Sequence, residues 1–352
     1  MSSGILRLQI DRDVLLFYED RDKDTFVRGD RHLRRRLRRL LTPFRPKKST
    51  ISGFELSFQL LCKALRSTGR TVHVNDFALA RSNPEFPVGL CGYLGMLQTW
   101  NLSNPAVLGP GLYDHPKQAP YLLSSRNFRS FIVLCDWMRD MFAGGWNREQ
   151  LYLWFGGIDL DDWTDTKQCV KDIDFLVYDK IRWNRDRLVP DLREPILAEL
   201  TRCGYSFEIL RYGEYRYPTY KALLQRSRAM LFLCEHETQG MAYQEALASN
   251  VPVLAWDQGT WLDPNREQWE GEPVPASSVP YFSAACGERF RDAADFPATL
   301  SRFIERREAY TPRAWVEDHL SFAESARLYM RAYRAAAGSS ASSASPEMKT
   351  VG

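Results

Sequence analysis

The regular alternation of apolar runs with helix-length segments in the second half of the chain constrains the fold more than any other feature of the sequence. Runs typical of β-strands occur at residues 174–178, 206–210, 229–234 and 251–255. Segments with a helical pattern lie between them, at residues 193–203, 217–227 and 241–249. Because parallel strands need a long crossover connection, usually a helix, this order predicts a parallel sheet flanked by helices.

The first half of the chain shows the same alternation less regularly. Strand-like runs occur at residues 5–18, 71–75, 88–92, 106–109, 131–135 and 150–155, and a helical pattern covers residues 54–65. We therefore predict an α/β protein with two Rossmann-like parallel-sheet domains. The expected division is an N-terminal domain at 1–157, a C-terminal domain at 158–312, a long C-terminal helix at 313–337 and a disordered, Ser-rich tail at 338–352.

The composition agrees with two folded domains and excludes several classes of protein. Of the 352 residues, 44% are hydrophobic and 26% are charged, which is enough apolar material for two cores. No run of 18 apolar residues occurs and the first residues lack the apolar core of a signal peptide, so we expect a cytoplasmic protein. The seven cysteines form no CxxC pair and the five histidines no zinc pattern, so we expect reduced thiols and no structural zinc.

The positive charge of the chain is concentrated in one segment. Residues 28–48 carry ten Lys or Arg and one acid, a net charge of +9, so the rest of the chain sums to −6. Its leucines fall on one face of a predicted helix, which leaves two main interpretations: a solvated surface face, or a patch that binds an anionic membrane surface. Nucleic-acid binding is a third, but we expect no nucleic-acid partner, because aromatic residues do not interleave with the basic ones.

The segment at residues 234–256 carries the most chemical information. Its pattern predicts the end of a strand, a polar turn at 235–240, a helix and a second strand. Ligands of open α/β sheets bind beyond the carboxyl ends of the strands, where this turn would lie, so Glu237 would project into a cleft. The helix that begins after Gly240 offers free N–H groups to a phosphate, and Glu245 lies within reach of a ribose hydroxyl.

This segment resembles the E-x7-E motif of retaining glycosyltransferases with the GT-B fold, of the family 4 (group 1) type. The family pattern of E-x-F-G, then E-A, then G-x-P-V-[IV]-A appears here as E-T-Q-G at 237–240, E-A at 245–246 and S-N-V-P-V-L-A at 249–255. Gln239 stands where the family has Phe. The resemblance implies a catalytic Glu237 and four donor-binding residues: Gln239, Gly240, Met241 and Glu245.

Further matches extend the resemblance over about residues 50–335. Gly53 lies in a segment similar to the family's glycine-rich loop, so the resemblance assigns it to a loop that binds the donor phosphate or the acceptor. Gly157 begins a segment similar to the interdomain N-G-[VI]-D. Lys180 and Arg185 follow a predicted strand where the family has Arg and Lys, so the resemblance assigns both to the diphosphate with their types exchanged. His115 would match the cleft histidine of the first domain.

The family resemblance implies a function for the whole chain. The two domains would face each other across a cleft, and the C-terminal helix would cross back to the first domain. The enzyme would be a hexosyltransferase that moves a sugar, with retention of configuration, from a nucleotide-sugar donor on the second domain to a glycan or lipid-linked acceptor on the first. No cofactor or metal is expected, because Lys180, Arg185 and a helix N-terminus would neutralise the leaving diphosphate. We interpret the D-x-D at 159–161 as acids of the interdomain linker.

Two other functions remain open from the sequence. The chain could be a catalytically inactive GT-B relative that binds a nucleotide or glycan as a partner subunit, because Gln239, Ser52 and Lys180 depart from the family pattern. It could also be a nucleic-acid-binding protein that uses residues 28–48, which the negative charge of the remaining chain disfavours.

Overall fold

A computed structural model of the chain describes residues 8–19, 53–125 and 127–338. The predicted basic helix at 28–48, Ser52 and the tail from residue 339 onward therefore lie outside the described residues. No helix in the described part of the chain is long and apolar enough to cross a membrane.

The first half of the described chain forms a six-stranded sheet. Its order is β2-β1-β3-β4-β5-β6, and all neighbouring strands are parallel. The strands are β1 (Asp13–Glu19), β2 (Thr71–Val74), β3 (Val88–Gly92), β4 (Ala106–Leu108), β5 (Phe128–Val133) and β6 (Leu151–Leu153). The α-helices of this half are α1 (Gly53–Ser67), α2 (Phe77–Ser82), α3 (Gly95–Gln98) and α4 (Asp136–Ala143).

The second half forms a five-stranded sheet that is also parallel throughout. Its order is β11-β10-β9-β7-β8. The strands are β7 (Ile173–Lys180), β8 (Phe207–Arg211), β9 (Ser227–Cys234), β10 (Val253–Trp256) and β11 (Gly287–Phe290). The α-helices are α5 (Arg185–Leu188), α6 (Glu194–Arg202), α7 (Tyr217–Arg226), α8 (Met241–Ala248), α9 (Phe296–Arg306), α10 (Pro312–His319) and α11 (Phe322–Ala336).

The two sheets confirm the predicted α/β class with two parallel-sheet domains. Central strands such as β3 and β10 are buried along their whole length, which is why they are continuous apolar runs in the sequence. The pattern did not predict β11, because only four residues pair and two of them are charged. It also missed the helices α2, α3, α4, α5 and α9.

The chain crosses back to the first domain, but the predicted single helix at 313–337 is wrong. The helix is interrupted at Leu320 and Ser321, where Ser321 is extended and its hydroxyl accepts a hydrogen bond from the Glu324 N–H at 3.3 Å. Helix α10 packs on α8 of the second domain, whereas α11 packs on α1, β4, β5 and β6 of the first. The break therefore lets one C-terminal segment bind both domains.

Buried hydrogen bonds fix α11 to the first sheet. The Tyr333 hydroxyl accepts the Leu15 N–H at 2.9 Å and donates to the Pro87 carbonyl at 2.5 Å. The Ser325 hydroxyl donates to the Phe155 carbonyl at 2.6 Å, next to the linker. Loss of α11 would therefore leave buried backbone groups of the first domain without partners.

We expect Tyr333→Phe to lower the free energy of unfolding by about 1–3 kcal/mol, because a buried N–H and a buried carbonyl lose their partner. Urea denaturation measures the change. Tyr121→Phe is the matched control, since Tyr121 is 83% exposed, and it should change stability by less than about 0.5 kcal/mol. Equal stabilities of the two variants would contradict the anchoring role of α11.

Candidate functional site

The order of the second sheet places a site between β7 and β9. The chain leaves β7 toward β8 on one side and returns to β9 on the other, so the strand order reverses there. In open parallel sheets, ligands bind at the carboxyl ends of the strands at such a point. Lys180, the last residue of β7, pairs in register with Cys234, the last residue of β9. The turn at 235–240 follows directly, as the sequence predicted.

Lys180 and Glu237 form an ion pair at this point. The Lys180 Nζ contacts the Glu237 Oε1, and the two side chains are only 13% and 12% exposed. Burial acts to lower the pKa of Lys180, but the charge of Glu237, the neighbouring Cys234 and the hydrogen bond to Glu237 together outweigh it and leave this pKa above its ordinary value. The ring of Tyr212 covers the ammonium group at 4.5 Å. Lys180 is therefore a fixed cation beside a fixed carboxylate.

Glu245 occupies a different environment, although it lies only eight residues along the chain from Glu237. It is 3% exposed on α8 and accepts a hydrogen bond from the Tyr217 hydroxyl. Burial raises the pKa of Glu245 to about 8, so near neutral pH most of this carboxyl group is protonated. The two acids of the E-x7-E pair thus differ: Glu237 is paired with a cation, and Glu245 is a buried acid hydrogen-bonded by a tyrosine.

The residues between the two acids shape the turn. Gly240 has φ +77°, and a Cβ there would lie 2.1 Å from the Tyr243 ring, so a glycine is required by the turn itself. Met241 begins α8. Gln239 is 5% exposed, and its Nε2 has no hydrogen-bond partner among the described residues although it lies beside Gly156 of the interdomain segment.

Arg185 has contacts other than those expected from the sequence. Its guanidinium binds both oxygens of Asp179 at 2.9 Å, and Arg193 binds the same carboxylate at 2.8 Å. Burial acts to raise the pKa of Asp179, but the hydrogen bonds from these two arginines and from the Ile181 N–H outweigh it and leave this pKa below its ordinary value. The structure thus uses Arg185 to neutralise a buried acid and does not pair it with Glu237. Its contact with a diphosphate stays a prediction.

His115 joins the two domains. It is 1% exposed, its Nε2 lies 2.8 Å from Glu270 Oε1, and its Nδ1 accepts the Lys117 N–H at 3.1 Å. Its ring stacks on Trp269, with 5.5 Å between centroids. Both ring nitrogens are occupied, so the structure does not bring His115 together with Lys180 and Glu237. Its catalytic role stays a prediction.

Gly53 begins α1, and a Cβ there would meet no atom within 4 Å. The described contacts therefore give no reason for a glycine at this position.

Asp159, from the D-x-D, pairs with Lys63 on α1. No three His, Cys, Asp or Glu side chains come together as possible metal ligands in the residues that the structure describes. The ligand-binding role of Gly53 stays a prediction. The expectation that the reaction needs no metal stays a prediction as well.

Arg182 is a site residue that the sequence analysis missed. It follows β7 two residues after Lys180, its guanidinium lies 4.0 Å over the Trp183 ring, and it donates to the His236 carbonyl at 3.1 Å. The backbone N–H groups of Arg182 and Trp183 bind the buried Glu235 carboxylate at 2.7 and 2.9 Å. Its position directly after a buried strand was the available signal.

Comparisons with known proteins support the fold. No model of a known protein family matches the sequence, and no curated protein matches it. Sucrose-phosphate synthase from Thermosynechococcus elongatus is similar in structure, with a TM-score of 0.52, 12% identity, and coverage of 92% of this chain and 98% of that one. TarM has a TM-score of 0.51 at 10% identity over 70% of this chain, which spans only 54% of the TarM chain. The shared architecture is the GT-B fold of two facing parallel-sheet domains.

We expect the stability of the wild type, relative to Glu245→Gln, to fall as the pH rises from about 4.5 to about 8. Because burial raises the Glu245 pKa from 4.5 to about 8, the folded chain binds a proton there that the unfolded chain has released. Denaturant unfolding at several pH values measures this. Glu149→Gln, on the exposed surface, should follow the wild type at every pH. A pH-independent difference between wild type and Glu245→Gln would contradict the burial of an acid.

Proposed function

We propose that the chain is a retaining glycosyltransferase that moves a sugar from a nucleotide-sugar donor to a glycan or lipid-linked acceptor. The observation that carries this proposal is the Lys180–Glu237 ion pair at the point where the strand order of the second sheet reverses. A cation and a carboxylate fixed side by side suit a substrate that carries a diphosphate next to a sugar. The GT-B fold supplies the facing domain that would bind an acceptor.

The donor would lie along the carboxyl edge of the second sheet. Lys180 and Arg182 would face the diphosphate, together with the free N–H groups at the start of α8. Glu245 would bind the ribose once the Tyr217 hydroxyl is displaced. Glu237, whose carboxylate Lys180 holds, would orient the sugar hydroxyls and stabilise positive charge that develops on the ring.

The sugar would be transferred with retention of configuration at its anomeric carbon. The bond between the anomeric carbon and the diphosphate oxygen breaks, and the bond to the acceptor oxygen forms on the same face of the sugar. The acceptor proton goes to the departing phosphate oxygen. Positive side chains fixed in place stabilise the charge on that oxygen without rearrangement, so we propose that no metal is required.

A non-catalytic binding subunit is the second candidate, and two contacts favour it. The Tyr217 hydroxyl donates to the Glu245 carboxyl group, and Arg185 donates to Asp179. Two of the side chains predicted to bind the donor therefore already have partners inside the protein. A protein that only binds a nucleotide or glycan needs the cleft but not a free catalytic carboxylate. Turnover therefore separates the two candidates.

The acceptor and the location in the cell rest on the sequence. The ten basic residues at 28–48, outside the described residues, favour an acceptor at an anionic membrane surface and a cytoplasmic, peripheral protein. A glycolipid or a surface polysaccharide precursor fits this proposal.

We expect one nucleotide family among UDP, GDP, ADP, CMP and dTDP to raise the melting temperature of the purified protein. At 100 times its Kd, a ligand stabilises the folded state by about 2.7 kcal/mol, a shift of several degrees. EDTA should not change the shift, and Glu245→Ala should abolish it. No shift with any nucleotide, or a shift that EDTA removes, would contradict the proposed metal-free donor site.

We expect Glu237→Gln to lower the rate of sugar release from the active donor by at least about 100-fold while the nucleotide still shifts the melting temperature. The amide keeps the size of the side chain but removes its charge. Glu214→Gln is the control, because Glu214 pairs with Arg211 on the exposed surface of the same domain. Wild-type turnover in Glu237→Gln would contradict the catalytic assignment, and turnover in neither protein would favour the binding subunit.

A further inference from the structure

We propose that Trp137, a residue of the first domain, is a positioning residue that holds Glu237 in its productive orientation across the cleft. This inference rests on the proposed function, because it concerns the carboxylate assigned to catalysis there. Trp137 lies near the start of α4, just beyond the carboxyl end of β5. Its indole N–H donates to the backbone carbonyl of Glu237 at 2.9 Å.

Both backbone polar groups of Glu237 are bound, one from each domain. The Glu237 N–H donates to the Ser277 carbonyl at 2.9 Å within the second domain. The carbonyl accepts the Trp137 indole from the first domain. The dihedral angles at Glu237 set the direction of its side chain, so fixing the peptide groups on both sides fixes the carboxylate. The orientation of this side chain therefore depends on where the first domain lies.

The side chain of Glu237 has a third restraint, its ion pair with Lys180. The direction of the carboxylate therefore depends on both this ion pair and the backbone of the turn. Lys180, the last residue of β7, binds the Glu237 Oε1. The thiol of Cys234, the last residue of β9, lies 3.5 Å from the same oxygen. Both partners are strand residues, so they hold the carboxylate from the side of the second sheet. A turn that was free to rotate would rotate the carboxylate away from the sugar while Lys180 stayed in place. Catalytic groups must be held within about 0.5 Å of the productive geometry.

The half-buried Trp137 ring contacts two aromatic side chains of the second domain. It meets the His236 ring edge-on, with 6.0 Å between centroids, and the Trp261 ring at 6.2 Å. On its other side, His236 stacks on Trp183 at 5.1 Å and 8°. This packing limits the directions in which the indole N–H can point. A phenylalanine at position 137 would keep most of the ring contact and lose only the hydrogen bond.

The chain offers a matched control in Trp146. Its indole N–H also donates to a backbone carbonyl, that of Ala119 at 3.1 Å, but both groups belong to the first domain. Trp146→Phe and Trp137→Phe therefore remove the same kind of hydrogen bond, one away from the cleft and one across it. If the substitutions act only by destabilising the fold, the two variants should lose a similar amount of stability and of activity.

The experiment measures steady-state sugar release from the active donor by wild type, Trp137→Phe and Trp146→Phe, together with amide hydrogen exchange of the peptide at 235–240. We expect Trp137→Phe to lower kcat by about 10- to 100-fold with less than a threefold change in the donor KM. Exchange of the 235–240 amides should be several times faster in Trp137→Phe. Trp146→Phe should match the wild type in kcat and in this exchange.

The possible results separate this inference from the proposed function. If wild type turns over the donor and Trp137→Phe has the kcat of Trp146→Phe, the inference is wrong and the function stands. If kcat falls in Trp137→Phe but its donor KM rises more than threefold and the 235–240 amides exchange no faster than in Trp146→Phe, the loss does not come from the orientation of Glu237 and the inference is also wrong. If wild type releases no sugar from any donor, the proposed function fails and the catalytic meaning of the Trp137 contact fails with it.

Discussion

The parallel pairing of β7 with β9 is the constraint on which the candidate site depends. It aligns the last residue of one strand, Lys180, with the last residue of the other, Cys234, although α5, α6, β8 and α7 lie between the two strands along the chain. Because the strand order reverses at this pair, this is the edge of the sheet at which a ligand is expected to bind. The turn at 235–240 follows β9 directly and places Glu237 against Lys180.

The same edge concentrates buried polar atoms that make no hydrogen bond within the part of the chain that the structure describes. Four buried polar side-chain atoms in the turn and the start of α8 make no hydrogen bond within the described residues: Glu235 Oε2, His236 Nδ1, Gln239 Nε2 and Gln244 Oε1. Buried polar groups are normally hydrogen-bonded, since each unsatisfied one costs about 1–3 kcal/mol. A cluster of them beside the partly buried Lys180–Glu237 ion pair is a local departure from good packing, and such departures are expected where a site is kept for a ligand.

The two domains are coupled around this site from several sides. Helix α11 binds the first sheet, the segment at 155–158 is hydrogen-bonded to the C-terminal region, and His115 pairs with Glu270 on the far side of the cleft. Trp137 adds a direct bond to the candidate catalytic turn. These contacts join residues of both domains, so a change in their relative position alters the environment of Glu237 as well as the width of the cleft.

The sequence by itself determined the α/β class, the two parallel sheets and the position of Glu237 and Gly240 in a turn after a buried strand. Those features follow from local patterns: apolar runs form strands, and a glycine permits the positive φ that begins α8. Only the tertiary structure decided the partners. Arg185 binds Asp179, His115 binds Glu270, and Arg182 and Trp137 join the site. Such contacts connect side chains through the packing of distant segments, and no periodicity along the chain encodes which charged or aromatic residues will meet.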